Sequence, residues 1–312
     1  MVPVFFSPSY VGSSHAFDTT RKAKWVFDSL TAQPIPGLAL RVPQPLTQEQ
    51  VMQAHDPSYV GAVKTGKPKH LAESQGFSWD PGLWSMVLAS NGGAVEAALT
   101  ALKSGVAGSL SSGLHHARYE CGAGFCTFNG LAIAAFAALA SGANSVLILD
   151  LDAHCGGGTH SLVKEKAQIW QVDVSVCSFD DYEPSSRTSL SIVREAKGYL
   201  PLIVNRLKDL ESNAPRFDLC LYNAGMDPYE GCGIGGLTGI TLEVLGEREQ
   251  IVFDWCRQRG IPVAFVLAGG YIGSELDESG LVDLHRLTLN SAARMAYTST
   301  TLPGADVPLT SA

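Results

Sequence analysis

Residues 145–158 read SVLILDLDAHCGGG. The run 145–151 is apolar and rich in β-branched residues, and it breaks abruptly into acids, a histidine and glycines. A run this short and this continuously apolar predicts a strand buried on both faces of a parallel sheet. IWQVDV at 169–174, FDLCLY at 217–222 and IPVAFVL at 261–267 have the same form. Helices are predicted over 92–103, 128–140, 191–210 and 242–259. Strand alternating with helix indicates an α/β fold, with a mainly parallel sheet and helices on both faces. No linker rich in Pro, Gly or Ser divides the chain and no internal repeat shows, so residues 1–312 read as a single domain. Roughly 100–200 residues per domain would have allowed two. From Thr300 onward Pro, Gly, Ser and Thr follow no period, and 300–312 are expected to form a mobile tail.

Composition excludes several function classes. With 46% hydrophobic residues the chain is neither disordered nor collagen-like. It has 22 basic against 30 acidic residues, a net charge of −8 and no basic stripe, which argues against direct nucleic-acid binding. The seven cysteines form no CxxC pair, so neither a disulfide framework nor a zinc ribbon is expected, and a reducing, cytoplasmic compartment is. The first residues lack a basic region followed by a long apolar stretch. The longest apolar run, 131–140, is alanine-rich and too short to span a bilayer, so no membrane partner is expected.

The polar residues gather at strand ends, where open α/β sheets bind ligands. Asp150, Asp152 and His154 close the first strand, Asp227 follows the 217–222 run by a short turn, and Gly269-Gly270-Tyr271 follows 261–267. His115-His116 comes after the run 107–114. Asp152 and His154 lie two apart on extended backbone, so both can face one ion. With Asp227 they make one nitrogen and two oxygen ligands, which suits a catalytic Zn²⁺ with an open position, and equally Fe²⁺ or Mn²⁺. The DxDxH segment alone fits a hydrogen-bonded structural pair just as well; Asp227 and the histidine pair tip the reading toward a metal.

Adjacent histidines on extended backbone diverge, so His115 and His116 are expected to serve as acid–base groups, each oriented by its own partner. Downstream, Gly124 permits close backbone approach and Phe125 offers an aromatic wall. Tyr271, expected to be exposed on a flexible turn, carries a hydroxyl able to donate to a developing oxyanion. Cys155 lacks an activating base, and Gly156–Gly158 lacks the Lys-Ser/Thr of a phosphate loop.

GLHHARYECGAGFC at 113–126, VLILDLDAHCGGG at 146–158, YNAGMDPYEGCGIGGL at 222–237 and LAGGY at 267–271 together resemble the histone deacetylase and acetylpolyamine amidohydrolase family. Class IV-like and bacterial members are the nearest in wording, and His15 and the stretch from Asp56 to Tyr59 are weaker echoes. The resemblance implies the three-layer arginase–deacetylase fold and hydrolysis of an N-acyl amide by metal-activated water. It implies Asp152, His154 and Asp227 as ligands of one Zn²⁺, His115 and His116 as proton-handling residues, and Tyr271 as the oxyanion stabiliser. Gly124 and Phe125 would line the substrate tunnel. Asp150 would orient His115 and, with backbone carbonyls of Asp152 and His154, hold a structural K⁺ or Na⁺. The implied substrates are acyl-lysine peptides or proteins, or acylated small amines such as polyamines.

Two positions depart from the family pattern. Gly157 stands where many members carry an Asp or Asn that supports the second histidine, which leaves Asp180, Asp181 or Glu183 as replacements from elsewhere. Asp80 is out of register with the acidic rim residue that holds a peptide backbone. A catalytically silent ligand-binding protein is therefore the alternative. A binuclear manganese ureohydrolase would need an acid where Gly156 stands, which counts against it.

Overall fold

In the computed structural model residues 1–13 and 18–299 are described; His15 and the tail expected at 300–312 lie outside the described residues. In chain order the main elements are β1 (Val2–Phe5), α1 (Asp18–Ala32), β2 (Leu38–Arg41), α2 (Gln48–Val51), α3 (Pro57–Thr65), α4 (Lys69–Ala72), α5 (Gly82–Ser104), β3 (Val106–Ser109), α6 (Gly130–Ala140), β4 (Val146–Asp150), α7 (Gly157–Val163), β5 (Ile169–Ser175), β6 (Thr188–Ile192), α8 (Tyr199–Asn213), β7 (Leu219–Gly225), α9 (Leu242–Arg259), β8 (Val263–Ala268) and α10 (Glu278–Ser299). The strands form one sheet in the order β2-β1-β3-β8-β7-β4-β5-β6, and every pairing is parallel.

Alternate residues of the central strands feed two cores. Leu147, Leu149, Tyr222, Phe265 and Leu267 pack on the face covered by α1, α8, α9 and α10. Val146, Ile148, Leu219, Leu221 and Val266 pack on the other, with residues of α3, α5 and α6. Burial on both faces is why β4 reads as an unbroken apolar run with no alternation. The sheet therefore has helices on both sides, the three-layer α/β arrangement expected.

The helix expected at 242–259 has those bounds, whereas other elements differ from expectation. The helix expected at 92–103 begins at Gly82, because Gly92 and Gly93 lie inside it as packing positions: a Cβ at Gly93 would sit 1.7 Å from the Tyr10 hydroxyl. The helix expected over 191–210 starts only at Tyr199, since 188–192 pair with β5 as an edge strand. β7 runs on to Gly225, and the polar Asn223 inside it finds a partner in the sheet, its amide donating to Asp150 Oδ1 at 2.8 Å.

Candidate active site

β3, β8, β7 and β4 are consecutive neighbours in the sheet; Asp150, Asp152, His154, Asp227 and Tyr271 lie at or just past the carboxyl ends of β4, β7 and β8, and His115-His116 in the longer segment that follows β3. Past β4, Asp152 Oδ1 accepts hydrogen bonds from His154 N–H at 3.0 Å and from its Nδ1 at 3.1 Å. Asp227, two residues past β7, accepts from the Ala153 N–H at 3.0 Å through Oδ1. Its Oδ2 is buried 3.2 Å from His154 Nδ1 without making a well-directed hydrogen bond. Gly269 makes this approach possible: its φ is +54°, and a Cβ there would lie 2.3 Å from the Asp227 carboxylate.

One donor atom from each of Asp152, His154 and Asp227 falls within 4.8 Å of the others, and all three residues are buried. Burial alone would push the His154 imidazole down, but Asp152 and then Asp227 hold it up at about 11. Burial and the neighbouring Asp152 raise Asp227 to about 6. Two buried carboxylates thus converge on one imidazole and demand a positive charge between them. A divalent cation supplies that charge and gives Asp227 Oδ2 a partner, so this donor set fits a metal.

The histidine pair sits on a turn, so the divergence expected of extended backbone does not occur. Leu114 has φ +56°, and the His115 and His116 ring centroids are 4.0 Å apart. His115 Nδ1 lies 2.8 Å from Asp150 Oδ2, and His116 Nδ1 lies 2.9 Å from Asp180 Oδ2. Burial works against a charged His115, but Asp150 and Asp152 outweigh it and raise the imidazole to about 10. Burial, reinforced by the charge of His115, drives His116 down to about 4. Two adjacent imidazoles are thereby pushed in opposite directions, one toward imidazolium and one toward a neutral base.

Tyr271 is buried, not exposed on a flexible turn, and burial beside Asp227 and Asp152 pushes its phenol well above the ordinary range. One cavity is lined by His115, His116, Gly124, Phe125, Asp152 and Tyr271. Asp80 is engaged elsewhere, accepting from the Ser13 hydroxyl and from the Gly82 N–H at 2.8 Å. Burial raises the Cys155 thiol to about 12, which agrees with its exclusion as a nucleophile. Asp181 and Glu183 are exposed, and Asp180 alone of the three candidates reaches His116.

Sequence reasoning missed two aromatics. Phe77 stacks on Phe125 at 5.2 Å, and Phe179 stands edge-on to His116 at 4.9 Å and to His154 at 6.0 Å. Phe179-Asp180 follows the carboxyl end of β5, the placement that drew attention to the other strand ends. Phe77 lies in a loop with no such signal.

The histone deacetylase domain profile matches residues 15–184. An uncharacterized protein of Picosynechococcus sp. is 34% identical over 78% of this chain and 81% of its own length. Histone deacetylase 2 of Arabidopsis thaliana is 29% identical over 59% of this chain, which spans about half (49%) of that protein. The crystal structure of acetylpolyamine aminohydrolase from Burkholderia pseudomallei superposes with a TM-score of 0.77 at 18% identity, covering 95% of this chain and 99% of that one, and so shares its fold. The chain belongs to the histone deacetylase domain family, hydrolases that act on amide bonds.

Proposed function

We propose that this chain is a zinc-dependent deacylase acting on an acyl-lysine side chain or on an acylated small amine. The observation that carries the reading is the buried donor set Asp152, His154 and Asp227, of which Asp152 lines one cavity together with His115, His116 and the buried Tyr271. Two relatives bear the names of the two substrate types, Histone deacetylase 2 of Arabidopsis thaliana and, at 36% identity over 29% of this chain and 27% of its own length, the acetylpolyamine amidohydrolase of Mycoplana ramosa, and this supports both. Asp152, His154 and Asp227 would hold the zinc, which when bound supplies Lewis acidity toward a water and an acyl carbonyl.

The remaining work falls to the chain's own side chains. His116, kept neutral, takes a proton from the attacking water. His115, kept cationic by Asp150, donates to the departing amine and balances charge during the attack. Tyr271, whose phenol keeps its proton, donates to the oxygen that becomes anionic. Gly124 and Phe125 confine the acylated side chain. Asp150 and the carbonyls of Asp152 and His154 would bind a K⁺ or Na⁺; burial and the nearby Asp150 raise Asp173 to about 8, a crowding of acids that a cation relieves. We read residues 1–312 as one domain of a cytoplasmic protein, in keeping with seven free cysteines.

Two other readings are weaker. A silent binding protein was suggested by Gly157, yet His116 has a carboxylate partner in Asp180. A binuclear manganese site lacks its bridging acid at Gly156. Tyr271→Phe and His116→Ala are expected to cut turnover of N-acetylputrescine or an acetyl-lysine peptide by about 100-fold or more while still binding a hydroxamate. Equal inertness of wild type and both variants, with hydroxamate binding retained, would support the silent protein.

A further inference from the structure

Asp180 lies in the loop between β5 and β6 with φ +61°, a left-handed conformation that a non-glycine residue adopts at a cost. Its carboxylate explains what holds it there. Oδ2 accepts from His116 Nδ1 at 2.9 Å and from the Gly158 N–H at 3.0 Å, while Oδ1 takes the Arg118 guanidinium. Arg118 also donates to the Gly157 carbonyl at 3.3 Å, tying loop and helix start together. At position 157 a Cβ would fall 2.3 Å from the Asp180 carbonyl oxygen and 2.6 Å from its Oδ1. A side chain at 157 and this placement of Asp180 therefore exclude one another.

We propose that Asp180 is the positioning residue of His116, delivered from the β5–β6 loop into the space that Gly157 leaves open, with Arg118 as its clamp. By accepting from Nδ1–H, the carboxylate fixes the tautomer and leaves Nε2 as the ring's acceptor. Arg118 shares the charge of Asp180, so the carboxylate orients the ring without drawing a second proton onto it. The adjacent Phe179 rests edge-on on the same imidazole and lies across from Gly124, where a Cβ would meet its ring at 3.1 Å. One short loop segment thus supplies both an aromatic wall and the orienting carboxylate. The inference rests on the deacylase reading for the use made of His116, but its geometry can be tested apart from that reading.

Asp180→Gly suits the left-handed backbone, so the variant is expected to fold and melt near the wild-type temperature. It should lower kcat by about 100-fold while KM stays within about threefold, the signature of a lost orienting partner. Formate, filling the vacated space, should restore activity to Asp180→Gly and not to Asp180→Asn. In ¹H–¹⁵N spectra of histidine-labelled protein, a strongly downfield Nδ1–H signal assigned by its loss in His116→Ala should vanish in Asp180→Gly and return with formate. A folded Asp180→Gly protein with wild-type kcat, or with that signal unchanged, overturns the proposal. If wild type hydrolyses no acyl amine, the deacylase reading fails by itself, and the ring signal still decides the place of Asp180.

Discussion

His55 shows how one side chain supports the site without entering it. Its Nδ1 lies 2.8 Å from the Arg118 carbonyl, and its Nε2 accepts from the Asn129 N–H at 2.9 Å. Asn129 in turn caps α6 and donates to the His115 carbonyl at 3.2 Å. A ring that donates at one nitrogen and accepts at the other must be neutral, and burial pushes its pKa from 6.5 down to about 4. The unfolded chain therefore binds a proton more readily than the folded one. Stability from this residue is fully present above pH 6.5 and is lost as pH falls toward 4, at up to about 1.4 kcal/mol per unit. His55→Gln is expected to flatten the acid side of the Tm–pH profile measured between pH 7 and pH 4.5. A profile parallel to wild type would contradict this account. The sequence displayed the chemistry of His115 and His116 but not their geometry, because the turn depends on Leu114 taking a positive φ that no motif announces. The buried state of Tyr271 escaped for a related reason: two glycines look flexible in sequence, yet Gly269 is fitted against a carboxylate.

At the scale of elements, α9 reaches back to the ends of the strands that carry the donor set. Arg248, fully buried, donates to the Leu151 carbonyl at 3.3 Å and the Gly225 carbonyl at 2.7 Å, just ahead of Asp152 and Asp227. Its charge is balanced by Glu249 at 2.6 Å, which also accepts from the Tyr222 hydroxyl at 2.7 Å. Arg248→Met leaves the Glu249 charge and two carbonyls without their partner, and is expected to cost about 3–5 kcal/mol in denaturant unfolding. It should also weaken zinc affinity by about 10–100-fold in a chelator competition, since the spacing of β4 and β7 is no longer braced. Arg248→Met/Glu249→Leu should regain part of the stability while the loss of zinc affinity persists. The central strands were legible because continuous apolar runs are a local signal, and α9 because it fills the stretch between two of them. The outer strands β1, β2 and β6 were not: they are four or five residues long, and their pairing partners lie elsewhere in the chain.

Across the whole molecule, the parallel sheet explains why residues as distant in sequence as His115 and Tyr271 line one cavity. The order β3-β8-β7-β4 places four strand ends side by side, and the helices that return the chain bury both faces, leaving those ends as the place for polar chemistry. None of the helices among the described residues is long and apolar enough to cross a membrane. The excess of acidic residues agrees with the substrates proposed above, which carry positive charge. Zinc should be titrated into chelator-treated protein while acetate release from N-acetylputrescine and an acetyl-lysine peptide is followed. Acetate release is predicted to rise linearly and saturate at about one zinc per chain. Saturation only at two manganese ions per chain, or no amide hydrolysis at any zinc level in folded protein, would contradict the account.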